Sequence, residues 1–353
     1  MLFETKEIDK TFYRNYLYDF LPERIIDIHT HIWLDRMVEP EAKGDISTKI
    51  ASWPLRVALD NSIEDLLETY QLVFPGKSVL PLIFSNVFDK DNLEEMNAYA
   101  AQSAEKYNLP SLAVTRPDWS GKQFESIIKQ GGFLGAKVYL TFSAGNIPVN
   151  EICIFDYLPH HQLDILNRHN LIVMLHIPRD KRLRDPLNLK QMIEIENRYP
   201  NIKLIIAHVG RAYCSEDVGN AFELLAETEN MMFDFSANTN TEVFKKLIDA
   251  VGAKRILFGS DMPITRMRMR RICENGTYIN IVPKGIYGDV SDDKHMREVE
   301  SPEADELTLF IYEQIAAFKE AASSTGLTKS DIENVFYNNS RNLLESVKKN
   351  ITK

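Results

Sequence analysis

The chain is poor in cysteine, has no long apolar run and carries no excess of positive charge. Its 353 residues include only Cys153, Cys214 and Cys273. An odd, sparse set without metal-motif spacing argues against a disulfide framework and for reduced thiols in a cytoplasmic protein. No apolar stretch is long enough to span a bilayer. Residues 1–10 are charged and lack the apolar core of a signal peptide, so no membrane partner is expected. A formal net charge of -10 argues against a nucleic-acid partner, which calls for a basic surface. Low-complexity segments and internal repeats are also missing. What is present, 44% hydrophobic and 26% charged residues, is the composition of an ordinary globular chain. The length suits one large α/β domain or two ordinary ones.

Short apolar runs alternate with longer amphipathic segments. Eight runs read as strands: residues 25–31, 78–84, 111–115, 134–140, 171–176, 203–208, 231–235 and 255–260. Helical spacing falls between most of them, over 94–107, 122–130, 162–167, 189–198, 219–228 and 241–251, with Gly, Pro and Asn at the joins. Strand–helix alternation implies a parallel sheet, and eight units in about 250 residues is the size of a (β/α)8 TIM-like barrel. An open doubly wound sheet would carry a Gly-rich loop after its first strand. This chain has His29-Thr30-His31 there instead. Residues 1–353 are therefore expected to form a single domain with its core at about 24–325. The 1–23 extension should pack outside, and 326–353 should add helices, with a capping box at Ser330–Glu333 and Asn339 capping the last helix. Long loops follow strand one (33 to about 61) and strand eight (262 to about 302), where a barrel builds its active site.

Successive side chains on a strand alternate faces. Asp27, His29 and His31 therefore share one face of the first strand. An isolated His-x-His is common by chance. Here His176, His208 and Asp261 each end an apolar run of their own, and Lys137 and Tyr139 share a face on the fourth. Neutral imidazoles with one carboxylate suit a divalent metal ion, zinc before manganese or another ion.

These segments resemble the metal-dependent amidohydrolase superfamily, in particular its amidohydrolase-related branch. That branch includes aminocarboxymuconate-semialdehyde and resorcylate decarboxylases and dicarboxylate lactonases. The resemblance rests on Ile26–His31, Gly135–Val138, Val173–His176, Ile206–Gly210, Ile256–Pro263 and Ile332–Leu344. It implies metal ligation by His29, His31 and His176. Asp261 would ligate the ion or take a proton from its water. His208 matches a second-metal ligand or a catalytic group, and Lys137 a lysine that is carboxylated and bridges two metals in some relatives but is often unmodified in this branch. One ion is expected rather than two.

Arg211 could grip a substrate carboxylate, and Tyr139 and Trp33 are further candidates for substrate contact, with Trp53 also near the loop after strand one. Arg266, Arg268, Arg270 and Arg271 crowd the segment after strand eight and suit an anionic substrate. Pairing with Glu274, Asp289, Asp292 and Asp293 is the competing expectation. The expected activity is hydrolysis of an ester, lactone or amide in a small anionic molecule by metal-activated water. Non-oxidative decarboxylation is the alternative, and a catalytically silent metal-binding barrel the third reading. The expected partner is a small molecule, with homo-oligomerisation left open.

Overall fold

Backbone hydrogen bonds join eight parallel strands in chain order in the computed structural model, which describes residues 2–37, 56–87 and 92–351. The strands are β1 (Arg24–His31), β2 (Ser78–Phe84), β3 (Ala113–Val114), β4 (Gly135–Val138), β5 (Ile172–Leu175), β6 (Lys203–Ile206), β7 (Met232–Asp234) and β8 (Ile256–Leu257). β3 to β8 form one six-stranded parallel ladder, and β1 pairs with β2. Two seams connect the ladders. The Leu112 amide donates to the Ile83 carbonyl at one. At the other, the amides of Ile28, Asp261 and His31 pair with the carbonyls of Phe258, His29 and Met262.

Every residue of β4 and β5 is buried. Such strands, covered on both faces, read in sequence as continuous apolar runs. Helices supply the cover: α1 (Glu7–Phe12), α2 (Ile63–Val73), α3 (Leu93–Tyr107), α4 (Gly121–Gln130), α5 (His160–Arg168), α6 (Pro186–Arg198), α7 (Ala221–Leu225), α8 (Thr241–Val251) and α9 (Phe310–Ser324). Helix α8 shows the local logic. Asn240 caps it by accepting from the Val243 amide, and Val243, Phe244, Leu247 and Ile248 bury one stripe. In the 1–23 segment, Tyr13 and Leu17 join the main core.

Several expectations are corrected. The segment after β8 holds a small sheet of its own, β9 (Arg270–Glu274), β10 (Thr277–Pro283) and β11 (Met296–Val299). Asn275 and Gly276, both at positive φ, turn β9 into β10. That Asn-Gly pair between alternating apolar residues is a hairpin signal the sequence reading passed over. The capping box lies on Thr328 and Asp331, opening α10 (Lys329–Glu333), not on Ser330. Asn339 does not cap α11 (Asn339–Ile351). It sits in helical backbone and donates to the Ala253 and Ile256 carbonyls, tying the tail to β8. Cys214 and Cys273 form a disulfide with Cα atoms 5.8 Å apart. This overturns the expectation of three reduced thiols and removes the ground on which a cytoplasmic location was read. No helix among the described residues is long and apolar enough to cross a membrane. Most of the loop after β1 lies outside the described residues.

Candidate active site

The C-terminal ends of β1, β4, β6, β7 and β8 converge on one polar cluster. His29, His31 and Asp261 place their ligand atoms within 4.8 Å of one another. The Nε2 atoms of His29 and His31 each lie 3.5 Å from Asp261 Oδ1. His31, His176, His208 and Asp261 keep 5–6% exposure, whereas His29 and Asp234 have none. The first four therefore line an opening, and the last two form its floor.

Hydrogen bonds fix which ring nitrogen faces inward. His29 Nδ1 is 2.9 Å from Asp234 Oδ2, so its proton sits on Nδ1 and the Nε2 lone pair points to the cluster. His31 Nδ1 donates to the Ser85 carbonyl at 3.0 Å. His208 Nδ1 donates to the Ser236 carbonyl at 3.1 Å and meets Ser236 Oγ at 2.9 Å, while that hydroxyl donates to Asp234. The backbone follows suit. His208, Val209, Gly210 and Arg211 all have positive φ, and so does Asp261. A left-handed Val is a rare conformation held only by its surroundings, and such strain clusters at functional sites. Gly259 is required by proximity, since a Cβ there would meet His29 Cβ at 2.8 Å.

Asp27 is not part of the metal-ligand cluster, although it shares the strand with His29 and His31. The ladder shifts register between Asp27 and Thr30. The Asp27 carboxylate accepts from the Ser260 and His29 amides and from Tyr70 Oη. Burial pushes it up to about 7.

Burial sets the protonation states. It lowers His29 to about 3, helped by the Lys137 charge and opposed by Asp234 and Asp261. Burial also lowers His176, with Arg211 next in effect, and His208. Burial alone would raise Asp261, but His208, His31 and His29 outweigh it and hold its carboxyl at about 2. Lys137 Nζ lies 3.0 Å from His29 Nε2, and burial pulls its ammonium down to about 8. The set is thus imidazoles gathered around the Asp261 carboxylate, the donor chemistry of a divalent cation. The buried His176 Nδ1 has no hydrogen-bond partner, an orphan that a cation would relieve.

His176 stands apart from the tightest group. Its ring lies 5.3 Å from that of His208 and 4.2 Å from that of Tyr139. Trp33 is only 1% exposed and its Nε1 donates to the Leu59 carbonyl, which leaves no open ring face for a ligand. Trp53 lies outside the described residues. The arginines after β8 do not act as one patch. Arg266 contacts Asn61, and Arg268 pairs with Asp9. Arg271 bonds Asn280 and the Ala237 carbonyl. None of these three pairs with Glu274, which bonds Arg297.

Sequence reasoning missed Asp234. His29, His208 and Asp234 also form a group with metal-ligand spacing. It is better read as a hydrogen-bond network, because Asp234 faces the protonated Nδ1 of His29 and accepts from the His208 and Ser236 amides. A signal existed: Asp234 is a lone carboxylate near the end of the seventh apolar run, close to the pattern that singled out Asp261 after the eighth.

A family model described as Amidohydrolase matches residues 26–271. No curated protein matches. The fold is similar to Amidohydrolase 2 from Bifidobacterium longum subsp. infantis, with TM-score 0.53 and 18% identity over 92% of this chain and 99% of that one. A probable 2-pyrone-4,6-dicarboxylic acid hydrolase from Acinetobacter baumannii, with citric acid bound, gives 0.56 and 15% over 91% and 99%. A dihydroxybenzoic acid decarboxylase from Polaromonas sp. JS666, with bound manganese and 2-nitroresorcinol, gives 0.53 and 15% over 92% and 97%. At these identities the likeness is one of fold.

Proposed function

We propose, from the premise that this chain belongs to the amidohydrolase family, that it is a metal-dependent hydrolase of an ester, lactone or amide in a small anionic substrate. The two ladders and their seams support a closed (β/α)8 barrel, whose C-terminal mouth holds the site. His29, His31, His176 and Asp261 would hold one divalent ion, with zinc the first choice. When bound, such an ion acidifies water and polarises a carbonyl.

The observation that carries the reading is Asp261. It is held ionised beside two imidazoles whose lone pairs point at it. An ionised carboxylate there can accept the proton of an attacking water, which completes a base–nucleophile pair with no further residue. His208 has committed its Nδ1 proton to Ser236. Its neutral ring then offers Nε2 as an acceptor, a ligand or a proton relay, and not as a donor to a carbonyl. Arg211 and Tyr139 border the same opening, on the side of His176.

Decarboxylation is the second reading. Lys137 favours it, as a buried cation beside His29 that could hold a substrate carboxylate or deliver a proton. Isotopes separate the two. A panel of lactones, esters and aromatic carboxylates is run in oxygen-18 water and in deuterium oxide. Oxygen-18 in a product carboxylate is expected, with turnover reduced at least ~100-fold in Asp261→Asn. Carbon dioxide release with deuterium on the product carbon would replace hydrolysis with decarboxylation. Metal binding without turnover across the panel would favour a silent barrel.

A further inference from the structure

Asn61 sits between two segments that carry candidate metal ligands. It is fully buried where the loop after β1 ends, and its backbone amide and carbonyl pair with those of Trp33. Its side chain bridges further. Nδ2 donates to the carbonyl of His31, and Oδ1 accepts from Nη2 of Arg266. Arg266 is buried in the short turn Ile264–Arg266 that follows Asp261.

The backbone shows why a side chain is needed here. Along the seam between β1 and β8, the Asp261 amide donates to the His29 carbonyl and the His31 amide to the Met262 carbonyl. The His31 carbonyl comes next. Pro263 has no amide hydrogen, and the Ile264 amide turns back onto the Asp261 carbonyl at 3.0 Å. Asn61 supplies the donor instead. With its amide on Met262, its carbonyl on Asn61 and its ring Nδ1 on Ser85, His31 is fixed at backbone and ring alike. Its Nε2 then stands 3.5 Å from Asp261 Oδ1.

The Asn61 amide has one possible orientation. A guanidinium only donates and a carbonyl only accepts, so Oδ1 must face Arg266 and Nδ2 must face His31. Arg266 has a firm seat for this. Its Nη2 also reaches the Asp65 carbonyl at 3.5 Å, and its neighbour Thr265 donates Oγ1 to the Ser260 carbonyl at 2.9 Å. Among the described residues its buried Nε has no hydrogen-bond partner. A guanidinium kept for packing alone would not carry that cost.

We infer that Asn61 is a positioning residue for the metal ligand His31, and that Arg266 sets its amide. The pair couples the ligand from β1 to the segment that bears Asp261. Arg266 then serves the ligand frame and not a substrate anion. This deepens the metal-hydrolase reading and rests on it for the role of His31.

Zinc affinity of the full chain, measured by competition with a chelator, tests this. The visible spectrum of the cobalt(II)-loaded chain reports ligand geometry. Asn61→Ala should bind zinc about 10-fold more weakly, the low end for a group that orients a ligand, and should shift the cobalt bands. Arg266→Met should weaken zinc in the same direction. Loss of a positive charge would by itself favour a cation, so a fall is not a charge effect. Arg266→Lys, which can only donate, should return to within about 3-fold of wild type. Asn97→Ala removes another buried amide, bonded to Val114 on β3, and should cost stability but leave zinc affinity unchanged. Wild-type affinity and cobalt bands in folded Asn61→Ala overturn the inference, as does an equal loss in Asn97→Ala. If Asn61→Ala does not fold, the two Arg266 variants carry the test, and unchanged or tighter zinc binding in Arg266→Met overturns it. A wild-type chain that binds no zinc would overturn the metal reading and this inference with it, before any variant is made.

Discussion

At the scale of the residue, Asp234 decides which way His29 faces. It accepts hydrogen bonds from His29 Nδ1–H at 2.9 Å and from the backbone amide of His208 at 3.0 Å. One buried carboxylate thus orients the His29 imidazole on β1 and fixes the backbone of His208 in the turn after β6. Removing it frees the His29 ring to flip and strips a hydrogen bond that strengthens the ligand. Asp234→Ala should lower metal affinity about 10–100-fold, read by competition with a chelator. His29→Ala/His31→Ala should abolish metal binding in elemental analysis while the fold persists in circular dichroism. Wild-type metal content in the double variant would end the metal assignment. Unchanged affinity in Asp234→Ala would reduce Asp234 to a structural role.

At the scale of the element, the strands are short and their burial is complete. β5 is four residues, all buried, paired on one side with β4 and on the other with β6. Leu175 closes it with no exposed surface, immediately before His176. Truncation to Ala should leave a cavity between sheet and helices and cost roughly 2–5 kcal/mol, seen as a lower denaturant midpoint. Because Leu175 also seats the backbone of His176, metal affinity should fall with it. A near-neutral result would mean that the register of β5 differs from the ladder described above. The hairpin of β9 and β10 is held the same way on one strand only: β10 buries Tyr278 to Pro283 in two satellite apolar clusters. The half-exposed β9 is placed by the turn at Asn275-Gly276 and by bonds from Arg271.

At the scale of the whole molecule, one buried ion pair ties the beginning of the chain to the segment after β8. Asp9 in α1 is 1% exposed and accepts from both terminal nitrogens of Arg268 and from Thr308 Oγ1. Arg268 in turn donates to the Leu307 carbonyl. Deleting one member leaves the other buried and unpaired. Asp9→Ala should therefore destabilise the protein by about 3–5 kcal/mol, measured by thermal unfolding at neutral pH. The paired replacement Asp9→Ala/Arg268→Met should recover part of that loss. If the single variant melts like wild type, the N-terminal segment does not contribute to global stability.

The parallel strands and the residues at their ends were legible in the sequence, because both signals are local. An apolar run is apolar whatever it packs against, and alternation along β1 sets His29 and His31 on one side before any neighbour is known. Asp261 was legible for the same reason. The role of Asp234 was not, since its partner His29 lies 205 residues away and only the return of β8 to β1 brings β7 beside it. Nor was the displacement of Asp27, which follows from a register shift imposed by β2. The bond between Cys214 and Cys273 spans 59 residues and needed the hairpin to be placed first. Trp33 looked like a ring at the mouth until packing buried it. Residue types and their spacing along one strand determine which groups are offered to the site. The tertiary structure decides which of them meet, because the register between strands and the packing of distant loops are set by contacts that no local pattern contains.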